Sequence, residues 1–172
     1  MNTENQISWK RAITAILIAW LLFIGVDFIF HAAILESLWK EEIPAIKSLE
    51  NLTVLIPAGY TSFLLLTALI GYVFFRIFKT KPTLKEVMKF GFIFGLLFSL
   101  SNITGLYSYI TIPLKQLLIF NLVYFIEILV VAVAINHLAF SAKIKKVVWV
   151  SFLIFLGLII FGIVIQNILA IW

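Results

Sequence analysis

The 172-residue sequence contains no cysteine and few charged residues. Without a thiol, the chain cannot form disulfide bonds, cysteine-based zinc or iron–sulfur sites, or a thiolate nucleophile. Charged residues make up only 12% of the chain and hydrophobic residues 63%, whereas a soluble domain has about a quarter charged and about half apolar residues. So few polar side chains cannot cover a water-facing surface. The composition therefore predicts an integral membrane protein.

The signatures of several enzyme classes are also absent. The sequence has no His-Glu-x-x-His motif, no phosphate-binding glycine loop and no nucleophile elbow. The net charge of +5 resides mainly in short loops beside apolar segments. Membrane topology explains these cations, so we expect no nucleic-acid partner. The sequence favours a non-enzymatic membrane protein.

Five apolar segments divide the chain, and each is long enough to cross a bilayer, which takes about 20 residues. They cover approximately residues 10–34, 53–78, 86–111, 115–139 and 147–172. We predict an all-α, polytopic transmembrane bundle with five spans, forming a single domain over residues 1–172. Four spans plus a re-entrant or peripheral helix is the alternative. A short amphipathic helix within residues 35–50 is predicted to lie at the membrane interface.

Small and aromatic residues indicate which parts of the spans contact other helices and which contact lipid. In lipid, small residues spaced along one helix face mark helix–helix contacts. Such residues occur in the second, third and fifth spans: Ala68 and Gly71; Gly91, Gly95 and Ser99; Gly157 and Gly162. The 17 Phe and 5 Trp residues are expected to serve mostly as lipid-facing bulk and interface anchors.

The distribution of Lys and Arg predicts the orientation. Ten of the 13 cations lie at the start of the first span, in or beside the connection of the second and third spans, or between the fourth and fifth. With five spans, all of these regions are on one side of the membrane, which the positive-inside rule assigns to the cytoplasm. We predict a cytoplasmic N-terminus and an external C-terminus. The expected partners are the lipid bilayer and either a second copy or another membrane subunit.

Two acidic residues lie well inside the apolar spans, away from the span ends. Asp27 is the only formally charged residue between Ala12 and Phe30, and Glu127 lies near the middle of the fourth span. A charge in the hydrocarbon region is costly unless it faces protein or water, so such residues indicate a functional site. His31 follows Asp27 by four residues, which places both on one helix face.

Helical rise and the predicted topology place further polar residues in the same outer half of the bilayer. The candidate ligand or proton pocket comprises Asp27, His31, Tyr60, Asn102, Tyr107, Asn121, Tyr124 and Glu127. The second histidine, His137, lies well over ~20 Å away in depth on the same estimate, which excludes haem ligation by the two histidines. No cofactor is expected.

Three interpretations of these residues remain open. The first is an outward-facing polar pocket that binds or moves a small solute, ion or proton; Glu127 would titrate and Asp27 would orient His31. The second is an assembly or accessory subunit whose buried acids only lock helices together. The third is a metal-dependent membrane enzyme with Asp27, His31 and Glu127 as ligands, since carboxylate and imidazole groups suit a metal.

Several short motifs lie between residues 20 and 140. They are Asp27-Phe28-Ile29-Phe30-His31, Pro57, Lys89-Phe90-Gly91-x-x-x-Gly95, Tyr107 with Pro113, and Glu127. This pattern resembles a group of small bacterial integral membrane proteins without an assigned activity, many of which stop after the fourth helix. The resemblance implies a bacterial cytoplasmic (inner) membrane and implies that the polar residues act as a set.

Overall fold

A computed structural model of the protein describes residues 7–40 and 49–169. Within these ranges the chain forms α-helices and one π-helical segment, and no strand. Helix α1 (Trp9–Asp27) continues directly into the π-helical segment Phe28–Ile34. The remaining helices are α2 (Glu36–Lys40), α3 (Leu49–Ile77), α4 (Leu84–Tyr109), α5 (Leu114–Phe140) and α6 (Ile144–Leu169). The predicted all-α fold is confirmed.

Five of the helical stretches are long and apolar enough to cross a membrane. They are Trp9–Ile34, Val54–Ile77, Leu84–Tyr109, Leu114–Phe140 and Ile144–Leu169, each of 24 to 27 residues. At about 1.5 Å per residue, even the shortest exceeds the hydrocarbon thickness of about 30 Å. The protein is therefore a multi-pass helical membrane protein with five candidate spans, as predicted.

The region predicted to hold an amphipathic helix contains α2, which covers Glu36–Lys40. Residues 41–48 lie outside the described part of the chain. Trp39 of α2 is partly buried, and its ring stacks on Phe120 of α5.

Helix α5 is the centre of the bundle and contacts α1, α3, α4 and α6. It runs antiparallel to α1, and Arg11 ties the start of α1 to the end of α5. The Arg11 guanidinium donates hydrogen bonds to the carbonyl oxygens of Ser141 and Leu138, which have no partner within the helix at this terminus. Asp27 is sixteen residues further along α1, and Glu127 is fourteen residues back along α5 from Ser141. This register brings the two acids to the same level.

Helices α4 and α5 form the predicted antiparallel hairpin, and the glycine stripe of α4 is its contact face. A Cβ added at Gly95 would lie 3.0 Å from the Phe125 ring and 3.4 Å from the Phe125 carbonyl oxygen. Ser99 continues this face, since its hydroxyl donates a 3.0 Å hydrogen bond to the carbonyl of Asn121. The predicted contact at Gly157 is wrong, because nothing lies within 4 Å of a Cβ added there.

We therefore expect Gly95→Leu to destabilise the bundle and Gly157→Leu to be tolerated. The larger side chain at position 95 must push α4 away from α5, and overpacking of this kind typically costs about 1–3 kcal/mol. Unfolding of both variants in the same detergent provides the measurement. Equal loss of stability in the two variants would contradict this account of the seam.

Candidate functional site

Asp27, His31 and Glu127 meet where α1 passes into the π-helical segment and packs against α5. One ligand atom from each residue lies within 4.8 Å of the other two. The Asp27 Oδ1 is 3.7 Å from the His31 Nε2. These three side chains are hereafter called the acid–histidine cluster. Asp27 and His31 come from α1 and its π-helical continuation, and Glu127 comes from α5.

The π-helical segment positions His31. Its geometry is visible where the Leu35 N–H donates a 2.7 Å hydrogen bond to the Phe30 carbonyl, five residues back. The segment packs against α6, where the Phe28 ring occupies the space that a side chain at Gly162 would fill. π-Helical turns are uncommon and are often found at functional sites. The segment contains neither proline nor glycine, so no local signal predicts it.

Glu127 is the most unusual member of the cluster. Its side chain is fully buried at 0% exposure, thirteen residues from either end of α5. Among the described residues, neither of its carboxyl oxygens has a hydrogen-bond partner. Leaving a buried polar group unpaired typically costs about 1–3 kcal/mol, more for a charge. A buried acid without partners therefore points to a functional occupant rather than to a stabilising contact.

Trp39 of α2 covers the histidine. Its indole N–H donates a 3.2 Å hydrogen bond to the His31 Nδ1, and its ring stacks on Phe120 with centroids 4.6 Å apart. Phe120 also flanks the imidazole at 5.6 Å between centroids. The sequence analysis did not predict that Trp39 belongs to this site. The available signal was a tryptophan eight residues beyond His31, because a buried indole N–H usually finds an acceptor.

The Trp39 hydrogen bond determines which histidine tautomer is present. An indole N–H can only donate, so Nδ1 of His31 must offer a lone pair. The neutral imidazole then carries its proton on Nε2, which is the nitrogen that faces Asp27. A metal at Nε2 would need the opposite tautomer, because metal-binding histidines usually donate from the other ring nitrogen. With Trp39 in place, the cluster suits a proton better than a metal.

The predicted tyrosines Tyr124 and Tyr60 lie at different distances from the cluster. The Tyr124 ring centroid is 6.5 Å from that of His31. Tyr60 is further away: its ring is 6.3 Å from Phe63, which in turn is 6.3 Å from Tyr124. The Tyr60 carbonyl accepts a 2.9 Å hydrogen bond from the Trp20 indole, which joins α1 to α3.

The other three predicted residues lie apart from the cluster. Asn102 donates a 2.9 Å hydrogen bond from Nδ2 to the Asn121 Oδ1, so these two residues belong to the α4–α5 seam. Asn121 and Glu127 are six residues apart on α5, which turns them about 120° from one another. Tyr107 is 62% exposed. The depth estimate grouped these residues with the acids, but it could not tell the helix faces apart.

No family model, curated protein or solved structure matches the chain.

We expect wild-type His31 to be protonated on Nε2 and unprotonated on Nδ1, because Nδ1 accepts the Trp39 hydrogen bond. Nitrogen NMR can test this in a His137→Gln background, where His31 is the sole remaining histidine of the two. Trp39→Phe keeps an aromatic ring against Phe120 but removes the donor, so the preference for this tautomer should weaken. A wild-type Nδ1–H signal would contradict the assignment.

Proposed function

We propose that the acid–histidine cluster is an intramembrane proton-binding and proton-transfer site in a small protein of the bacterial cytoplasmic membrane. The observation that carries the proposal is the fully buried Glu127 carboxyl group, without a hydrogen-bond partner among the described residues and adjacent to Asp27 and His31. The resemblance of the motifs to small bacterial membrane proteins supports the choice of membrane.

The two carboxyl groups of the cluster favour a positively charged ligand. Two ionised carboxylates this close together in an apolar interior would each lose hydration and would repel one another. Among residues 7–40 and 49–169, the basic side chain at this site is the neutral His31 beside Asp27, and no Lys or Arg neutralises Glu127. The cluster therefore calls for a bound cation. Two carboxyl groups are too few for Ca²⁺, which takes six to eight oxygen ligands, whereas a proton needs a single oxygen.

Exposure suggests the direction from which a proton reaches Glu127. The side chains of His31 and Asp27 are 15% and 14% exposed, while Glu127 is fully buried. His31 directs Nε2 towards Asp27, and both residues lie close to Glu127. Protons would thus pass through His31 or Asp27 to Glu127. The separations of up to 4.8 Å require a small movement or one bridging water at each transfer.

Proton flux into proteoliposomes tests this function. With an imposed membrane potential and an internal pH dye, we expect flux from the wild type and its loss in Glu127→Gln and Asp27→Asn. Glu86→Gln is the matched control, because it removes an acid that caps α4 at Thr83 and lies outside the cluster. Unchanged flux in Glu127→Gln would overturn the proposal.

A second variant separates this proposal from helix locking. Glu127→Leu removes a buried group that makes no hydrogen bond, so the free energy of unfolding should stay equal or rise while flux is lost. A loss of more than about 2 kcal/mol would instead assign Glu127 a structural role. A stoichiometric metal that is lost in His31→Ala would favour the metal-enzyme interpretation.

We also propose that the N-terminus is cytoplasmic, on the basis of the cation distribution. Because the natural chain has no cysteine, single cysteines can be introduced without background. Thr80→Cys lies between α3 and α4, and Thr111→Cys between α4 and α5; both positions are exposed. An impermeant maleimide should label Thr111→Cys in intact cells and Thr80→Cys only after permeabilisation. The reverse pattern would invert the topology.

A further inference from the structure

A second site lies at the opposite end of α1, in a groove between the first turns of α1 and the last turns of α3. The groove encloses about 580 Å³, a volume within the usual range for ligand sites of roughly 300–1,000 Å³. Its apolar wall includes Ala12, Ile13, Ile16 and Ala68. The two alanines leave space between the helices, whereas at Gly71 an added Cβ would lie 2.7 Å from Ile16.

The groove ends at two cations. Arg76 is in the last turn of α3, with its guanidinium carbon 5.2 Å from the centroid of the Tyr72 ring. Lys79 follows the helix, and its Nζ donates a 3.0 Å hydrogen bond to the Phe75 carbonyl. No carboxylate of the described chain forms an ion pair with either cation, and no acidic residue lines the groove. The groove therefore combines an apolar wall with a positively charged rim.

The rim lies at the level expected for lipid headgroups. Arg76 is one residue from the end of the span Val54–Ile77, and Trp9 begins the span Trp9–Ile34. Trp9 and Tyr72 line the groove and are 78% and 58% exposed. Tryptophan and tyrosine are enriched at this boundary between hydrocarbon and headgroups. The apolar wall consequently extends into the hydrocarbon region from a charged rim at its surface.

We propose that this groove binds one anionic phospholipid. An acyl chain would lie along Ile13 and Ile16, and the phosphate would lie between Arg76 and Lys79. A zwitterionic lipid also carries a phosphate, but its own ammonium group opposes the two cations, whereas an anionic lipid has no opposing charge. This inference is independent of the proton site, because it uses different residues at the other end of α1.

Native mass spectrometry of the full chain can test the proposal. The protein would be released from detergent containing equal amounts of phosphatidylglycerol and phosphatidylcholine with the same acyl chains. We expect preferential retention of phosphatidylglycerol. The double variant Arg76→Gln/Lys79→Gln should weaken its apparent affinity by about fivefold for each cation removed. Equal retention of the two lipids by the wild type would overturn the proposal.

The matched control is Lys145→Gln/Lys146→Gln, which removes two exposed cations outside the groove and causes the same change in net charge. This control should retain phosphatidylglycerol as the wild type does. Equal loss in both double variants would mean that net charge alone attracts the lipid and would contradict a built site.

An uncharged variant tests the apolar wall. Ile13 is 40% exposed, so Ile13→Trp should fill the groove without disturbing the core, and phosphatidylglycerol retention should fall with both cations still present. Helix content by circular dichroism verifies folding, and proton flux shows whether the acid–histidine cluster is intact. Soluble glycerol phosphate should not compete. Competition by it, or undiminished retention in folded Ile13→Trp, would contradict lipid binding.

Discussion

The antiparallel packing of α1 against α5 determines where the two acidic residues of the spans meet. Arg11 joins one end of this pair by donating to the terminal carbonyls of α5. From there both helices continue without interruption to Asp27 and Glu127. A shift of either helix by one residue would rotate its acid by about 100° and separate the carboxyl groups. The cluster is therefore a consequence of register as well as of composition.

Packing and function impose opposite demands on α5. In lipid, helices associate through close contacts of small residues, because burial of apolar surface gives little driving force. The face of α5 towards α4 meets this demand because it packs against Gly91, Gly95 and Ser99 of α4. The face towards α1 instead buries Glu127 without a hydrogen-bond partner within the described chain. The tight α4 seam and the Arg11 contact supply stability that this unfavourable burial removes.

Hydropathy and segment length were sufficient to predict five spans and an all-α fold. Both predictions depend only on where the apolar residues lie along the chain and on how long each apolar segment is. Helical rise predicted that Asp27, His31 and Glu127 share the outer half of the bilayer. Rotation about each helix axis was not predictable, because it depends on neighbouring helices. Asn121 therefore belongs to the α4 seam although its depth resembles that of Glu127. The Trp39 contact depends on the chain folding back after the π-helical segment, so a tryptophan eight residues beyond His31 does not by itself predict it.

His31 links the covering tryptophan to the acids. Its Nδ1 accepts from Trp39 while its Nε2 faces Asp27. A second proton on the imidazole would have to occupy Nδ1, where it would oppose the indole N–H, since both groups are then donors. If protons pass through His31, the cationic state therefore requires Trp39 to move. The hydrogen bond that fixes the tautomer thus also disfavours the cationic histidine, and the Trp39 indole must leave Nδ1 in any transfer by this route.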